Sequence, residues 1–358
     1  MAVVDRRAFL VATIVASGCG PGGKPIDGPQ REATTGAAPS IGKSQSAISR
    51  QTPPRVAVLV FGSRRSSLVT SGPKSADLLI RDRLEELGYV EGKTIVLEES
   101  YADGDPRRLA QLAIDIVASK PDAIVTIAAA ATAAARQATN TIPIIMAHVG
   151  EPVGAGLVAS LARPGGNVTG TTSMIPDLGA KQVELLRQLV PRISRLGVLA
   201  NPANTGTQPL LAQLKESGRQ FKISVVVAEV QRTEDFDKAF GVLRAARPDA
   251  LFIMVEPLIG LNIKKVLDFA ATARLPASFD VGREAVRQGG LISYGPVLAT
   301  HYAMVADYVD KVLKGAKPGD LPIQQPTQFA LAINLKTAKA LGIKVPQSLL
   351  LRADELIE

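Results

Sequence analysis

Two short segments, KPDAIVTI at residues 120–127 and RPDALFIM at residues 247–254, carry the same order of signals. In each, a basic residue and a proline close an amphipathic stretch, an aspartate follows, and a largely apolar run comes next. A run without polar alternation suits a strand covered on both faces, the situation of a parallel sheet flanked by helices. A second echo joins RVAVLVF, starting at Arg55, to RLGVLAN, starting at Arg195. Offsets of about 130–140 residues are too long for a solenoid repeat and fit two similar α/β lobes. The chain between the echoes keeps alternating. SADLLIRDRLEELG places apolar residues at 78, 79, 80, 84 and 87, a helical spacing that stops at Gly88. TIVLEES, DAIVTIAA and IPIIMAHV read as further strands, with helices near 107–119 and 130–139 between them. The segment SLARPGGNVTGTTS reads as the end of a helix at Arg163, a turn at Pro164-Gly165-Gly166 and a strand leaving through Thr171-Thr172. The expected fold class is therefore α/β, two Rossmann-like lobes built on parallel sheets.

The single cysteine, Cys19, lies far from any of these runs. Residues 1–18 read as an export signal: Arg6 and Arg7 form a positive start, residues 8–16 an apolar stretch, and Ala16-Ser17-Gly18 a small-residue cleavage neighbourhood. The apolar stretch is well short of the roughly 20 residues that span a membrane. Ala16-Ser17-Gly18-Cys19 resembles a bacterial lipoprotein processing box, in which the cysteine is lipidated and becomes the mature N-terminus. A plain cleaved signal with an incidental cysteine is the other reading. The stretch from Asp5 to Leu10 also looks like a twin-arginine export motif. Residues 20–54 are rich in Gly, Pro, Ser, Thr and Ala and contain no aromatic residue, so they cannot bury enough apolar area to offset the entropy of ordering them. Residues 19–54 are thus expected to be a lipidated cysteine and a flexible linker, reaching about 30–35 Å as a coil.

In an open α/β sheet, ligands sit beyond the carboxyl ends of the strands. Two lobes that face each other then share a cleft, and its lining follows from position. The first lobe offers Gly62 and Ser63, the run Ala128, Ala129, Ala130, Ala131 and Thr132, and His148, Gly150 and Glu151. The second offers Asn201, Glu256, Phe279 and Asp280. The small residues of AAAATAAARQATN would let a ligand approach the N–H groups of a helix start, where a carboxylate is favoured; a helix packed tightly on the sheet is the alternative. Glu256 and Asp280 each follow an apolar strand and would suit an ammonium group, or else cap a helix or loop. His148 would face the ligand, or hydrogen-bond at a strand end. Phe61, Phe279 and Tyr294 could cover a small apolar side chain.

Other chemistries lack their residues. His148 and His301 are the only histidines, and neither has metal-ligand spacing or a G-x-S-x-G elbow beside it. No metal, cofactor or catalytic set is expected. No cysteine follows Cys19, so disulfides and cysteine-bound zinc are excluded from the body. The formal charge of +8 is spread over helix faces without a helix-turn-helix or aromatic-basic interleaving, so nucleic acid is not an expected partner. The chain has no tryptophan, which counts against sugars.

The body resembles the ABC-transporter substrate-binding lipoproteins of the tryptophan/tyrosine-type periplasmic binding protein family. The resemblance is carried by LEELGYVEGKTIVLE, RRLAQLAIDIVASKPDAIV, EPVGAGLVASLARPGGNVTG, GVLANPAN, GGLISYGP and YVDKVLKGAKPGDLPIQQPTQFALAINLKTAKALGI. It implies a type I periplasmic-binding fold with three interlobe crossings, near 171–176, 294–298 and 319–325. Residues 55–172 plus 298–320 would form the N-terminal lobe and 173–297 plus 321–358 the C-terminal lobe. It implies capture of a small solute, an amino acid or small carboxylate, by hinge closure and delivery to permease subunits driven by a separate ATPase. The chain would be a monomer in the cell envelope, periplasmic or extracytoplasmic, held to the membrane by its lipid anchor. Binding positions carry over to Ser63, Ala129, Ala130, Ala131, Thr132, Gly150, Asn201 and Asp280. The family commonly has Asp-Pro-Val where this chain has Glu151-Pro152-Val153, and Tyr where it has Phe279, which puts an aromatic solute in question. An envelope sensor of the same fold, handing ligand occupancy to a receptor, is the alternative function.

Overall fold

The computed structural model describes residues 52–64, 74–173, 178–204 and 207–358. The expected leader, Cys19, nearly all of the linker and residues 174–176 of the first expected crossing lie outside the described residues.

The first sheet contains β1 (Arg55–Val60), β2 (Val96–Tyr101), β3 (Ala123–Ile127), β4 (Ile144–Val149) and β5 (Val168–Thr172), all parallel, in the order β2-β1-β3-β4-β5. Its connecting helices are α1 (Ala76–Glu86), α2 (Pro106–Ala118) and α3 (Ala129–Ala138). Every residue of β3 is buried, including Thr126 among its apolar neighbours. Helix α2 starts where Asp105 accepts the N–H of Arg107 at 2.8 Å, ahead of Pro106 in the first turn.

The second sheet is larger. Its strands are β6 (Arg195–Ala200), β7 (Ser224–Glu229), β8 (Ala250–Ile253), β9 (Ala277–Phe279), β10 (Ile292–Pro296), β11 (Phe329–Asn334) and β12 (Glu355–Ile357), in the order β12-β11-β10-β9-β8-β6-β7. Helices α4 (Leu178–Leu189), α5 (Gln208–Phe221), α6 (Phe236–Ala246), α7 (Pro257–Leu261), α8 (Ile263–Thr272) and α9 (Arg283–Arg287) connect its strands. One pair departs from the parallel pattern: β10 and β11 run antiparallel. The reason is the chain path. After β10 the chain leaves the sheet for helix α10 (Leu298–Leu313) and comes back along β11 from the opposite direction, before α11 (Leu335–Leu341), α12 (Gln347–Arg352) and β12.

Helix α10 covers the first sheet rather than the second. Tyr302, Val305, Ala306 and Val309 pack with Val56, Val58, Ile80 and Ile145. Each large aliphatic side chain sealed in this way contributes roughly 1.5–3 kcal/mol. The chain then runs beside β5: Gln324 donates to the carbonyl of Gly170 at 3.0 Å and accepts from Thr172 N–H at 2.9 Å, while Ile323 donates to Leu161 at 2.7 Å.

The two Pro-Asp pairs do the same work in the two sheets. Asp122 Oδ2 accepts the N–H of Arg55 at 2.8 Å, which fixes the start of β1 against β3. Asp249 Oδ2 accepts from Ser194 N–H at 2.7 Å and Arg195 N–H at 2.9 Å, fixing β6 against β8. The sequence echo is thus one strand-start device used twice.

The helix expected to end at Arg163 does not form. Residues 151–157 make turns, with Ala155 N–H on the Glu151 carbonyl at 2.9 Å, and Gly156 at φ +66° breaks the path. The turn at Gly165 and Gly166 is present, with φ of +61° and +95°. Asn167 spends its amide on the carbonyls of Thr139 and Ile142, at 3.2 and 2.9 Å.

Gly170 in β5 has φ +127°, and a Cβ there would lie 2.1 Å from the Met146 carbonyl oxygen. Strain and overpacking add at this position, so Gly170→Ala should cost about 2–5 kcal/mol in urea unfolding. A variant as stable as the native chain would show that β5 can shift away from β4.

Candidate functional site

The carboxyl ends of the strands in both sheets converge on one space. From the first sheet, β1 delivers Gly62, β3 delivers Ala128 and Ala129, and β4 delivers His148 and Gly150; from the second, β8 delivers Glu256 and β9 delivers Asp280. Together they enclose a cavity of about 150 Å³. It opens into an outer cleft of about 1720 Å³, with Ala128, Ala129, Asn204, Pro209, Glu256 and Pro257 on both.

On the first-lobe wall the backbone is strained where it meets the cavity. Ala128, just ahead of α3, has φ +83° and ψ 156°, a region that side chains rarely enter and that costs about 1–3 kcal/mol. No side chain caps α3, so its first-turn N–H groups are left to whatever enters the cleft. His148 has φ +58° and sits at an irregularity between Met146 and Val149 in the β4–β5 pairing. Its ring meets that of His301 edge-on, with centroids 5.6 Å apart. His148 Nδ1 and both ring nitrogens of His301 are buried without a hydrogen-bond partner. Burial lowers the pKa of His148 to about 4, and burial with the neighbouring His148 lowers that of His301 to about 3. Both rings are therefore neutral at pH 7.

The second-lobe wall is acidic. Asp280 Oδ1 accepts from the N–H groups of Val255 and Val281, each at 2.8 Å. Burial pushes Asp280 up to about 7 against those donors, and the nearby Glu256 pushes the same way. Glu256 caps α7 through Ile259 N–H at 2.9 Å and accepts from Asn201 Nδ2 at 3.3 Å; burial raises its pKa. Gln182 on α4 holds the frame, donating to the carbonyls of Asp280 at 3.1 Å and Tyr294 at 2.6 Å. The site thus sets an uncapped helix start against two partly protonatable carboxyls, with apolar surface between them.

Of the expected lining residues, Gly62, Ala129, His148, Gly150, Glu256 and Asp280 reach the inner cavity, and Ala130, Glu151 and Asn201 reach the outer cleft. Phe279 does not. Its ring is fully buried in the core of the second lobe among α6, α8 and α9, because side chains alternate along β9 and Asp280 takes the cleft direction. Thr132 is also turned inward: its hydroxyl pairs with Thr126 Oγ1 at 2.8 Å and bonds the Ala128 carbonyl at 3.2 Å. The side chain of Ala131 packs in the first-lobe core, one helical step round from the cleft. Ser63 lines neither space. Phe61 faces the outer cleft, whereas Tyr294 stacks on Phe329 at 5.9 Å.

Sequence reasoning missed Tyr302, Asn204, Thr207 and Leu210, all on the inner cavity. Asn204 and Thr207 follow Asn201 in the loop after β6, so extending the strand-end rule by one loop would have found them. Tyr302 belongs to α10, which enters the cleft from a crossing and not from a strand end.

Residues 71–357 match a family described as ABC transporter substrate binding protein. The chain belongs to this family. Like other ABC substrate-binding proteins it works outside the cytoplasm and presents a small solute to a permease. It is 29% identical over 262 residues to a tyrosine-binding protein of Clostridioides difficile, covering 73% of this chain and 74% of that one. A solved conserved domain protein of Vibrio cholerae is 30% identical with a TM-score of 0.79, covering 86% of this chain and all (100%) of that one. A Streptococcus pneumoniae ABC domain in complex with L-Trp is 28% identical with a TM-score of 0.78, over the same shares of 86% and 100%. The substrate-binding protein thus has the two-lobed type I periplasmic-binding fold. No helix among the described residues is long and apolar enough to cross a membrane.

The Asp280 carboxyl supplies a pH test of the site. Its folded pKa of about 7 lies above the ordinary value near 3.9, so the folded state holds the proton more tightly. That contribution to stability is full below about pH 4 and is lost as pH rises through 7. Asp280→Asn does not titrate, so without solute its melting temperature should gain on that of the native chain between pH 4 and 8. A difference constant across that range would return Asp280 to an ordinary carboxyl.

Proposed function

We propose that this ABC substrate-binding protein captures a small α-amino acid, with the carboxylate at the start of α3 and the ammonium group at Asp280. The observation that carries the reading is the one-sided bonding of Asp280. Oδ1 takes two backbone N–H groups, which leaves Oδ2 for the cavity. An ammonium group would make a charge-assisted hydrogen bond there and hold the carboxylate in its ionised form. On the first-lobe side the uncapped N–H groups of Ala129, at the inner cavity, and Ala130, at the outer cleft, suit an anion, and the helix start adds a favourable field. Glu256 supplies a second carboxyl on the ammonium side. The names of the relatives, one tyrosine-binding and one with L-Trp bound, agree with an amino acid.

Capture would proceed by closure of the lobes, residues 55–172 plus 298–320 against 173–297 plus 321–358, about the three crossings. Only contacts made better in the closed state shift that equilibrium. The ligand would bridge the walls and provide them. Transport energy comes from a separate ATPase. The protein would act as a binder and not an enzyme, a reading supported by its membership of a family of substrate-binding proteins. Cys19 would carry the lipid anchor, and the folded body would act as a monomer.

A thermal-shift panel tests the assignment, because a ligand at 100 times its Kd adds about 2.7 kcal/mol of stability. L-amino acids should raise the melting temperature, while the matching amines and the matching deaminated acids should not. Asp280→Ala should weaken binding by tenfold or more in isothermal titration (roughly 1.4 kcal/mol or more) and leave the fold intact. Stabilisation by solutes lacking the carboxylate, with none by amino acids, would overturn the reading.

A further inference from the structure

We propose that the solute carries a small aliphatic side chain, methyl to isopropyl in size, and that Leu178 and Leu210 set this upper limit. The inference rests on the amino-acid reading above and names the class of side chain, smaller than those of the amino acids named for its relatives.

The first observation is room. The inner cavity, at about 150 Å³, has the volume of an apolar cavity that one benzene molecule occupies. The nitrogen, Cα and carboxylate common to every α-amino acid use most of such a space. Some of it is returned because Ala129, where the carboxylate is held, borders both the cavity and the outer cleft. What is left takes a methyl, an ethyl or an isopropyl group. A ring does not fit beside the two polar ends.

The second observation is direction. Asp280 lines the inner cavity and not the outer cleft, so an ammonium group held there draws Cα inside. The side chain then starts among Val60, Ile127 and Val281, which suit an aliphatic group. The outer cleft offers a large side chain no equivalent seat. Its volume of about 1720 Å³ is more than ten times that of the inner cavity, and Asp103, Glu229, Arg232 and Lys238 stand on its walls. A ring turned back into it would keep much of its surface wet, and the hydrophobic gain follows the area removed from water.

The third observation is the firmness of the second-lobe wall. Leu178 opens α4 and Leu210 lies in the first turn of α5; both are half-buried and reach the inner cavity. The two helix starts are locked together. Gly179 N–H donates to Gln213 Oε1 at 2.8 Å. A Cβ on Gly179 would lie 2.7 Å from Gln213 Cβ and 3.3 Å from Leu210 Cδ1, so the helices already touch as closely as backbone allows. Packing of this kind resists added methylenes. An oversized side chain meets a wall that does not retreat.

Isothermal titration of the full chain with L-alanine, L-valine, L-glutamine and L-tyrosine tests this. L-Alanine or L-valine should bind about tenfold or more tightly than the two larger amino acids, since one misfitting methylene alone is worth about tenfold. Leu210→Ala opens the wall and should narrow the gap between L-valine and L-tyrosine by about tenfold. Leu178→Ala should act in the same direction, and it serves if Leu210→Ala does not fold. L-Tyrosine or L-glutamine binding as tightly as L-valine to the native chain overturns the inference and leaves the amino-acid reading in place. A native preference for small side chains that neither variant changes overturns the role of the two leucines. If no amino acid binds, the reading of the ammonium and carboxylate ends fails, and this inference fails with it.

Discussion

A parallel sheet sends the carboxyl end of every strand to the same edge, and the whole molecule is organised around that constraint. Each edge collects loops that the sheet itself cannot cover, because the helices occupy the faces. Two such edges turned toward each other produce one enclosed space without any residue having been placed there individually. The Pro-Asp devices at Asp122 and Asp249 secure the opposite edges, where the strands begin. Stability is thus concentrated away from the cleft, and the cleft edges are free to carry strained backbone at Ala128 and His148.

The electrostatics of the space follow from burial. Desolvation acts in opposite directions on acids and bases, raising Asp280 and Glu256 while lowering His148 and His301. The result is a site in which burial works against the charged form of each of these groups until a partner supplies the complement. A carboxyl held near neutrality by burial becomes strongly attractive to an ammonium group as soon as the two meet. Neutral imidazoles, by contrast, can discriminate only by hydrogen bonding.

Much of this was legible in the residues. The apolar runs located strands β1, β3, β4, β6 and β8, and the strand-end rule found Asp280, Glu256, His148 and Ala129. The rule speaks of backbone position, and it failed where side-chain direction decides. Phe279 and Asp280 are consecutive, so alternation sends one into the core and the other into the cleft, and the sequence does not say which. Thr132 was lost to a local partner, Thr126, six residues earlier on the preceding strand. The helix expected to end at Arg163 is replaced by turns, with Gly156 at positive φ taking the chain out of a helical path. Tyr302 and the contact between the two histidines depend on α10 returning across the lobes, a tertiary event with no local signature.

The return path of the chain after α10 has a mechanical consequence. Because Ile323 and Gln324 are hydrogen-bonded to the first lobe at Leu161, Gly170 and Thr172, that stretch is locked to the lobe like an extra edge strand. The next anchored element is β11, beginning at Phe329. Any rotation of one half against the other must be absorbed by the few residues between them, including Pro326, whose ring restricts the available torsions. In the lobe closure proposed above, the third connection would therefore act as a short, stiff fulcrum that restricts the path of the stroke.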